Sequence, residues 1–182
     1  MKRGRRRDII KINRSVRTKL IPALLTAISL AILIFILHEF SIGIEKGIGS
    51  SVVIFASFAA SAFILFMAPH TRAAKPSKFI KGYIIGGVVG YSGFLLSGLI
   101  GIYLTVFIAM FVLAILLVVL DAEHPPAAGI TLAFLLYGVG YLGIFVVIIA
   151  ALTMLLIRFF LENLVYRIEE DFIKQERKPV KK

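Results

Sequence analysis

The sequence predicts an all-α membrane protein, in which one compact domain forms a bundle of about six transmembrane crossings. Composition is the first indication: mean hydropathy is +0.96, 59% of the 182 residues are hydrophobic and 17% are charged. The second is that residues 82–120 and 127–157 contain no Asp, Glu, Lys, Arg or His. A helix needs about 20 apolar residues to span hydrocarbon, whereas a soluble domain of this size would carry charges along its surface.

The amino-terminal segment, residues 1–19, is strongly basic, with nine Lys or Arg against one Asp. Basic segments beside a membrane helix bind lipid headgroups and help to set topology. We therefore expect a cytoplasmic segment that contacts the lipid bilayer and no nucleic acid. The first transmembrane helix is predicted over 20–37, and no small-residue cleavage site ends it, so we expect a true span rather than a removed leader.

Three more helices follow before the chain meets its next charges. The second helix is predicted over 48–67 and ends before Pro69, since proline disrupts a helix. A basic loop comes next, with four cations: Arg72, Lys75, Lys78 and Lys81. The uncharged run 82–120 is too long for one span, so we divide it near 97–101 into helices over 79–97 and 102–120.

The segment Asp121-Ala-Glu-His-Pro-Pro126 interrupts the apolar pattern and is the most informative stretch of the chain. Two prolines break one helix and can open the next, because they lack an N–H and fix φ. Ionisable residues at membrane depth are costly unless they pair or face a wet cavity. The segment therefore predicts a helix break with polar chemistry at it; the alternative is a short polar turn in the cytoplasm.

The carboxyl-terminal part is predicted to hold a short helix over 127–137 and a last span over 142–161. A charged cytoplasmic tail helix over 162–182 follows. The chain thus divides into the basic segment 1–19, a transmembrane domain over 20–161 and this tail.

The distribution of positive charge predicts the orientation. Of 21 Lys and Arg, nine precede the first helix, four lie in the loop after the second, seven lie from Arg158 onward, and only Lys46 is on the other side. Cytoplasmic loops collect Lys and Arg, so both termini are expected in the cytoplasm of a multi-pass plasma-membrane protein. Both ends inside require an even number of crossings. Residues 127–141 would span only about 22 Å of roughly 30 Å of hydrocarbon, so helix 5 is predicted as a half-helix that starts inside the membrane.

Residues 57–66 and 125–134 share a pattern in which small residues precede an apolar run. This similarity favours an inverted 3+3 repeat, with helices 2 and 5 as its middle members, as transporters use. The alternative is chance similarity between two short stretches of low complexity. Within the third helix, Gly82, Gly86 and Gly90 recur every four residues, which predicts close helix packing within the chain or in a dimer.

Few residues offer enzyme chemistry. The chain has no cysteine and three histidines, of which only His124 lies beside carboxylates. We expect no cofactor, no metal and no enzyme activity. An intramembrane hydrolase would require a nucleophile within hydrogen-bond reach of His124.

His124-Pro125-Pro126, followed by Ala127-Ala128-Gly129, resembles the signature of the HPP integral membrane family. Residues 57–62, a helix that ends at Ala68-Pro69 and the glycine-rich third helix also fit that family, so the resemblance covers about 20–161. It implies a small helical membrane protein, and photosynthetic members are associated with nitrite transport into plastids. The chain departs from the family at 121–123, where Asp-Ala-Glu replaces a Thr-Gly-Thr-like run, and at Tyr83, where a His is often found. The two extra acids would repel a monovalent anion.

We therefore predict a membrane transporter or channel for a small, nitrite-like inorganic anion, bound where helices 2 and 5 start. Backbone N–H groups at 59–61 and 127–129 would bind the anion, because a helix start carries partial positive charge. The substrate-binding residues expected are Ser57, Ala59, Ala60, Ser61, Lys81, His124, Pro125, Pro126, Ala127, Ala128, Gly129 and Thr131.

His124 is expected to gate the path or couple it to protons, together with Glu123 and Asp121, because histidine titrates near neutral pH. The expected partners are the lipid bilayer, a small anion and a further copy in a homo-oligomer such as a dimer. The alternative function is a non-transporting membrane scaffold or sensor subunit that binds a partner or lipid through its basic termini.

Overall fold

The computed structural model describes residues 20–36 and 47–176, with side chains described over 20–36 and 53–163. The predicted basic segment 1–19, the loop after the first helix and the end of the tail lie outside the described residues. Every regular element in the described part is helical. The elements are α1 (Leu20–Ile36), α2 (Gly47–Met67), a short 3-10 turn η1 (Arg72–Ala74), α3 (Pro76–Ile100), α4 (Ile102–Val119), α5 (Ala127–Tyr137) and α6 (Leu142–Glu176).

The predicted helices are confirmed in the described residues, and α5 has the predicted bounds. The main differences are at helix ends. α3 begins at Pro76, three residues earlier than predicted, because proline is well suited to the first helical position, where its N–H is not needed. α6 continues without a break from the predicted last span into the predicted tail helix.

Three of the described helices are long and apolar enough to cross a membrane: Pro76–Ile100, Ile102–Val119 and Leu142–Asn163. Shorter apolar helical segments cover Leu20–Ile36, Val53–Met67 and Ala127–Tyr137. Large apolar side chains also face outward; Phe107 is 69% exposed and Leu99 is 82% exposed. An outer surface of this kind suits contact with lipid, and the chain is therefore a membrane protein.

A single residue, Gly101, separates α3 from α4. Its φ of 82° lies in the left-handed region, which glycine adopts without a Cβ penalty. The Gly101 N–H bonds to the carbonyl of Ser97 at 3.0 Å and so closes the last turn of α3. The division of the long apolar run near 97–101 is thus confirmed, with the turn at its last residue.

The glycines of α3 bring its backbone against α5. A Cβ on Gly86 would lie 2.7 Å from the carbonyl oxygen of Ala127, and one on Gly90 would lie 2.5 Å from that of Thr131. A Cβ on Gly82 would lie 2.8 Å from the Cβ of His124. The predicted close packing is therefore confirmed as packing within the chain. Successive glycines of α3 contact successive residues of α5 in the same order along the chain, so the two helices run parallel.

α2 packs on the same short helix from another side and runs in the opposite direction. Ser57 lies against Gly129, whereas Ser61, one turn further along α2, reaches His124 in front of α5. The core between α2, α3, α5 and α6 is filled by buried apolar side chains that include Phe58, Phe134 and Met154. α5 is thus enclosed by longer helices, and the segment in front of it is drawn into the core.

Candidate functional site

The segment between α4 and α5 turns sharply after Val119 and carries His124 into the core. Asp121 has a φ of 47°, a left-handed conformation that Asp tolerates better than most residues. The Ala122 N–H then bonds back to the carbonyl of Leu117 at 2.8 Å. After this turn the His124 side chain is fully buried between α2 and α3.

A line of hydrogen bonds runs through His124. Its Nδ1 lies 3.0 Å from the carbonyl oxygen of Ala73, and its Nε2 lies 2.8 Å from the hydroxyl of Ser61. That hydroxyl is also 2.7 Å from the hydroxyl of Tyr83. A carbonyl oxygen only accepts, so neutral His124 donates through Nδ1 and accepts at Nε2. Ser61 consequently donates to His124 and accepts from Tyr83. We call Tyr83, Ser61 and His124 the polar triad.

All three side chains of the polar triad are fully buried. The Phe79 ring stands edge-on to the imidazole, with ring centroids 5.0 Å apart. Burial lowers the pKa of His124 to about 4, because the charged imidazolium would lose its water, and the hydrogen bond to Ala73 opposes this only in part. The imidazole is therefore neutral at pH 7.

The two acids of the segment make an ionic cluster of their own and do not contact the imidazole. Lys78 Nζ lies 2.5 Å from Asp121 Oδ1 and 2.6 Å from Glu123 Oε2. Arg72 lies 3.1 Å from the same Asp121 oxygen. Hydrogen bonds from Lys78 lower the pKa of both carboxyl groups, against the effect of partial desolvation. In this conformation Lys78 binds both acids, and their predicted gating role together with His124 stays a prediction.

The start of α5 does not offer free N–H groups. The N–H of Ala127 bonds to the His124 carbonyl at 3.0 Å. Those of Ala128 and Gly129 bond to the carbonyls of Pro125 and Pro126, both at 3.1 Å. Three tight turns use these donors in this conformation, and the binding of an anion by the backbone of 127–129 stays a prediction.

The second predicted set of N–H groups is also occupied. Ala59, Ala60 and Ser61 lie well inside the continuous helix α2, and not at a helix start. Their N–H groups are used by the helix, since only the first four residues of a helix leave theirs free. The hydroxyl of Ser57 bonds to the Val53 carbonyl at 2.9 Å. An anion site built from this backbone stays a prediction, and of this group only the Ser61 side chain joins the polar triad.

The remaining predicted residues divide between the core and the edge. Thr131 is buried, and its hydroxyl bonds to the carbonyls of Gly86 and Ala127 at 3.0 and 3.2 Å. Pro126 is buried and Pro125 is exposed. Lys81 is exposed, and its Nζ lies 3.3 Å from the carbonyl of Leu120, close to the ionic cluster.

Sequence reasoning missed three participants: Tyr83, Lys78 and Arg72. Lys78 could have been found, because the four-residue spacing of the α3 glycines extends back to it from Gly82. Residues four apart share one helix face, so Lys78 had to point towards the segment in front of α5. For Arg72 no comparable pattern was present.

The Ser61–His124 contact satisfies the distance required of a nucleophile and its base. The surroundings do not suit hydrolysis, because both side chains are fully buried and Ser61 lies within a regular helix. Among the described residues, no group of three His, Asp or Glu is placed to hold a metal ion. The arrangement can pass a proton along hydroxyl and imidazole groups, or donate hydrogen bonds to a small anion if the triad opens.

A separate groove of about 340 Å³ lies between α3 and α4. Its walls are mostly apolar and include Val89, Ala109 and Leu116, and Thr105 also lines it. None of the predicted site residues lines it, so the groove is distinct from the polar triad.

Comparison with known proteins gives one match. A family model described as "HPP, transmembrane region" matches residues 13–170, which is most of the chain. No curated protein and no solved structure matches the sequence significantly.

Proposed function

The chain belongs to the HPP transmembrane family, and from this premise we propose that it is a transporter or channel for a small inorganic anion such as nitrite. The observation that carries the proposal is the polar triad of Tyr83, Ser61 and His124, buried inside an apolar helical bundle. Polar and ionisable side chains are costly at membrane depth and by default belong to a substrate or proton path.

The conformation described here corresponds to a closed state of this path. The triad side chains have no exposed surface, so an ion reaches them only when the segment in front of α5 moves away from α2 and α3. On opening, the hydroxyls of Tyr83 and Ser61 would exchange their mutual hydrogen bond for bonds to the anion. The proposed site thus uses side-chain donors, in place of the helix-start N–H groups that turned out to be occupied.

Cations at one end of the bundle support an anionic substrate. Lys78, Arg72 and Lys81 lie around the segment that leads to His124. Clustered positive charge raises the local concentration of anions and their rate of entry. Asp121 and Glu123 compensate two of these charges in the closed state, which answers the objection that the acids would repel an anion.

We propose that this end faces the cytoplasm of a plasma-membrane protein with both termini inside. The α2–α3 loop meets α6 here, since Arg158 donates to the carbonyl of Ala74 at 2.8 Å. Both regions are rich in Lys and Arg, as cytoplasmic ends are. Six crossings would result, with α5 starting below the membrane surface. The antiparallel packing of α2 and α5 supports the proposed inverted repeat, and a homo-oligomer stays a prediction.

We treat the Ser61–His124 contact as part of the path and not as a catalytic dyad, because water and substrate have no access to Ser61 in this state. The competing function, a non-transporting scaffold or sensor, requires no opening of the polar triad. Ion flux therefore separates the two.

The test is anion uptake by proteoliposomes that contain the purified chain, with nitrite, nitrate, chloride and formate compared at pH 5 to 8. Protein-free liposomes measure leakage. Ser61→Ala and Tyr83→Phe should reduce flux at least tenfold, whereas Ser57→Ala should not, because the Ser57 hydroxyl bonds only within its own helix. Absence of protein-dependent flux for all four anions would favour the scaffold.

A further inference from the structure

We propose that Lys78, with Arg72 at its edge, is a binding site for a small oxyanion or carboxylate, and that Asp121 and Glu123 occupy it as internal ligands in the closed state. This inference rests on the proposed function and identifies where the anion first binds. The two carboxylates act as anions of the chain's own, and an incoming anion replaces them.

The burial of the partners differs in the way that such an exchange requires. The Lys78 side chain is only 2% exposed, whereas the side chains of Asp121 and Glu123 are 65% and 40% exposed. The cation is thus fixed inside the bundle, and the carboxylates approach it from the solvent side. They can return to water without uncovering the core, but Lys78 cannot.

In this conformation Lys78 has two anionic partners, Asp121 and Glu123. A buried ammonium group without a partner is strongly destabilising, since its lost hydration is not replaced. When the carboxylates withdraw, the vacated positions therefore have high affinity for another anion. This cost also explains why the segment stays closed when no ligand is present.

The site adjoins the polar triad. Gly82 lies one turn after Lys78 on the same face of α3, and its backbone is packed against the Cβ of His124. Glu123, which binds Lys78, directly precedes His124 in sequence. Withdrawal of Glu123 from Lys78 therefore releases the residue next to His124, which links the anion site to the segment that closes the triad.

The internal ligands indicate the class of anion. Each carboxylate is a bent O–C–O group, and nitrite and formate have the same bent arrangement of two oxygens. Lysine binds anions as a point charge with three rotatable donors, and the nearby Arg72 adds a planar fork suited to two oxygens. Chloride lacks directed oxygen acceptors and should bind more weakly.

The experiment measures thermal unfolding of the purified chain in detergent at pH 7. Sodium nitrite, formate or chloride replaces sodium gluconate, a bulkier anion, at constant ionic strength. Wild type is compared with the double variant Asp121→Asn/Glu123→Gln, which removes the negative charge of both internal ligands. The control is the triple variant Lys78→Met/Asp121→Asn/Glu123→Gln, which removes the buried cation and leaves only the exposed Arg72 charged at the edge of the site.

The double variant should gain Tm with nitrite and formate, because a ligand that binds only the folded state stabilises it. Its half-maximal concentration should be at least tenfold lower than that of wild type, and the triple variant should not respond. The triple variant should fold, since a buried ion pair is replaceable by neutral groups at little cost. If the double variant is unstable in gluconate, recovery of folded protein in formate supports the site, and Glu123→Gln alone provides the titration.

The inference is overturned if nitrite and formate raise the Tm of the double and triple variants equally. It is also overturned if these anions leave the Tm unchanged in a folded double variant or in Glu123→Gln. Failure to fold in formate as well as in gluconate, with no response in Glu123→Gln, also overturns it. This thermal unfolding experiment and the flux test can give different answers, because binding and transport are measured separately. Anion-dependent Tm without flux would leave the site in place and remove the transport function.

Discussion

Ser61 and His124 are 63 positions apart in the sequence, and the hydroxyl of one lies 2.8 Å from Nε2 of the other. The contact joins the middle of α2 to the segment in front of α5, and the same hydroxyl accepts from Tyr83 of α3. One serine oxygen therefore connects three elements. In a bundle held mainly by apolar contacts, this connection fixes how the short helix is placed.

Replacement of Ser61 by Ala should destabilise the fold. The change leaves a buried imidazole nitrogen and a buried phenol hydroxyl without partners, and each unsatisfied polar group costs about 1–3 kcal/mol. Reversible unfolding in mixed micelles would measure the loss. Ser57→Ala is the matched control and should change stability by less than about 1 kcal/mol. Equal effects of the two substitutions would show that the triad contributes nothing specific.

Gly90→Ala should separate α3 from α5. The added Cβ would lie 2.5 Å from the Thr131 carbonyl oxygen and 2.7 Å from Phe134 Cβ, so backbone must move. We expect a loss of about 1–3 kcal/mol, as for overpacked cores. Gly98→Ala is the control: nothing lies within 4 Å of its Cβ, and alanine in a helix should gain about 0.5–1 kcal/mol. The two substitutions should therefore shift Tm in detergent in opposite directions. An unchanged Tm for Gly90→Ala would contradict the close packing of α3 on α5.

Mild acid should weaken the fold through His124. Its folded-state pKa is about 4 and its ordinary pKa is 6.5. Below pH 6.5 the unfolded chain takes up a proton that the folded chain does not, so stability falls as pH decreases towards 4. The loss between pH 7 and pH 5 is about 2 kcal/mol.

Asp121 and Glu123 have pKa values lowered from the ordinary 3.8 and 4.5, so the stability that they contribute is lost mainly below those values. The change in stability between pH 7 and pH 5 therefore reports on the imidazole. Free energies of unfolding at pH 7, 6 and 5 should fall in wild type and stay nearly level in His124→Asn. A parallel decline in both proteins would assign the sensitivity to another group.

The orientation can be tested by single-cysteine labelling, because the chain has no cysteine. Lys75→Cys, in the exposed loop before α3, should react with an impermeant maleimide only after the cells are opened. Lys46→Cys, on the predicted outer side, should react in intact cells. Reaction at position 75 from outside would reverse the proposed topology.

Ser61 should not react with a serine-directed fluorophosphonate probe, even though it is paired with a histidine. Its side chain is fully buried, and a covalent nucleophile needs an accessible hydroxyl. Fluorescence of the protein on a denaturing gel after incubation of the native form provides the readout. Labelling that disappears in both Ser61→Ala and His124→Ala would instead assign the chain a hydrolase function.

Helix positions could largely be predicted from the sequence, because apolar runs and prolines act locally. The bounds of α5 follow from Pro126 before it and Gly138 after it. The four-residue spacing of Gly82, Gly86 and Gly90 is enough to predict a closely packed face of α3. The site was less predictable. Whether a helix-start N–H is free depends on how the preceding residues turn, and no local pattern shows that 124–126 fold back onto 127–129.

The role of the two acids depended on a partner distant in sequence. Asp121 and Glu123 were predicted to gate the path together with His124, beside which they lie in the chain. The left-handed turn at Asp121 directs them to Lys78 instead, more than 40 positions away, while the imidazole enters the core. Adjacent residues can thus serve separate networks when the backbone reverses between them.

The one-residue turn at Gly101 has a mechanical consequence. α4 is a stiff rod of 18 residues, about 27 Å long, and it is fastened to α3 at one end by that single glycine. If α4 rotated by about 10° around Gly101, its far end would move by about 5 Å, given its length of about 27 Å. This displacement exceeds the 2.5 Å between Lys78 Nζ and Asp121 Oδ1, so a small change of angle at one end of α4 is sufficient to separate charges at its other end.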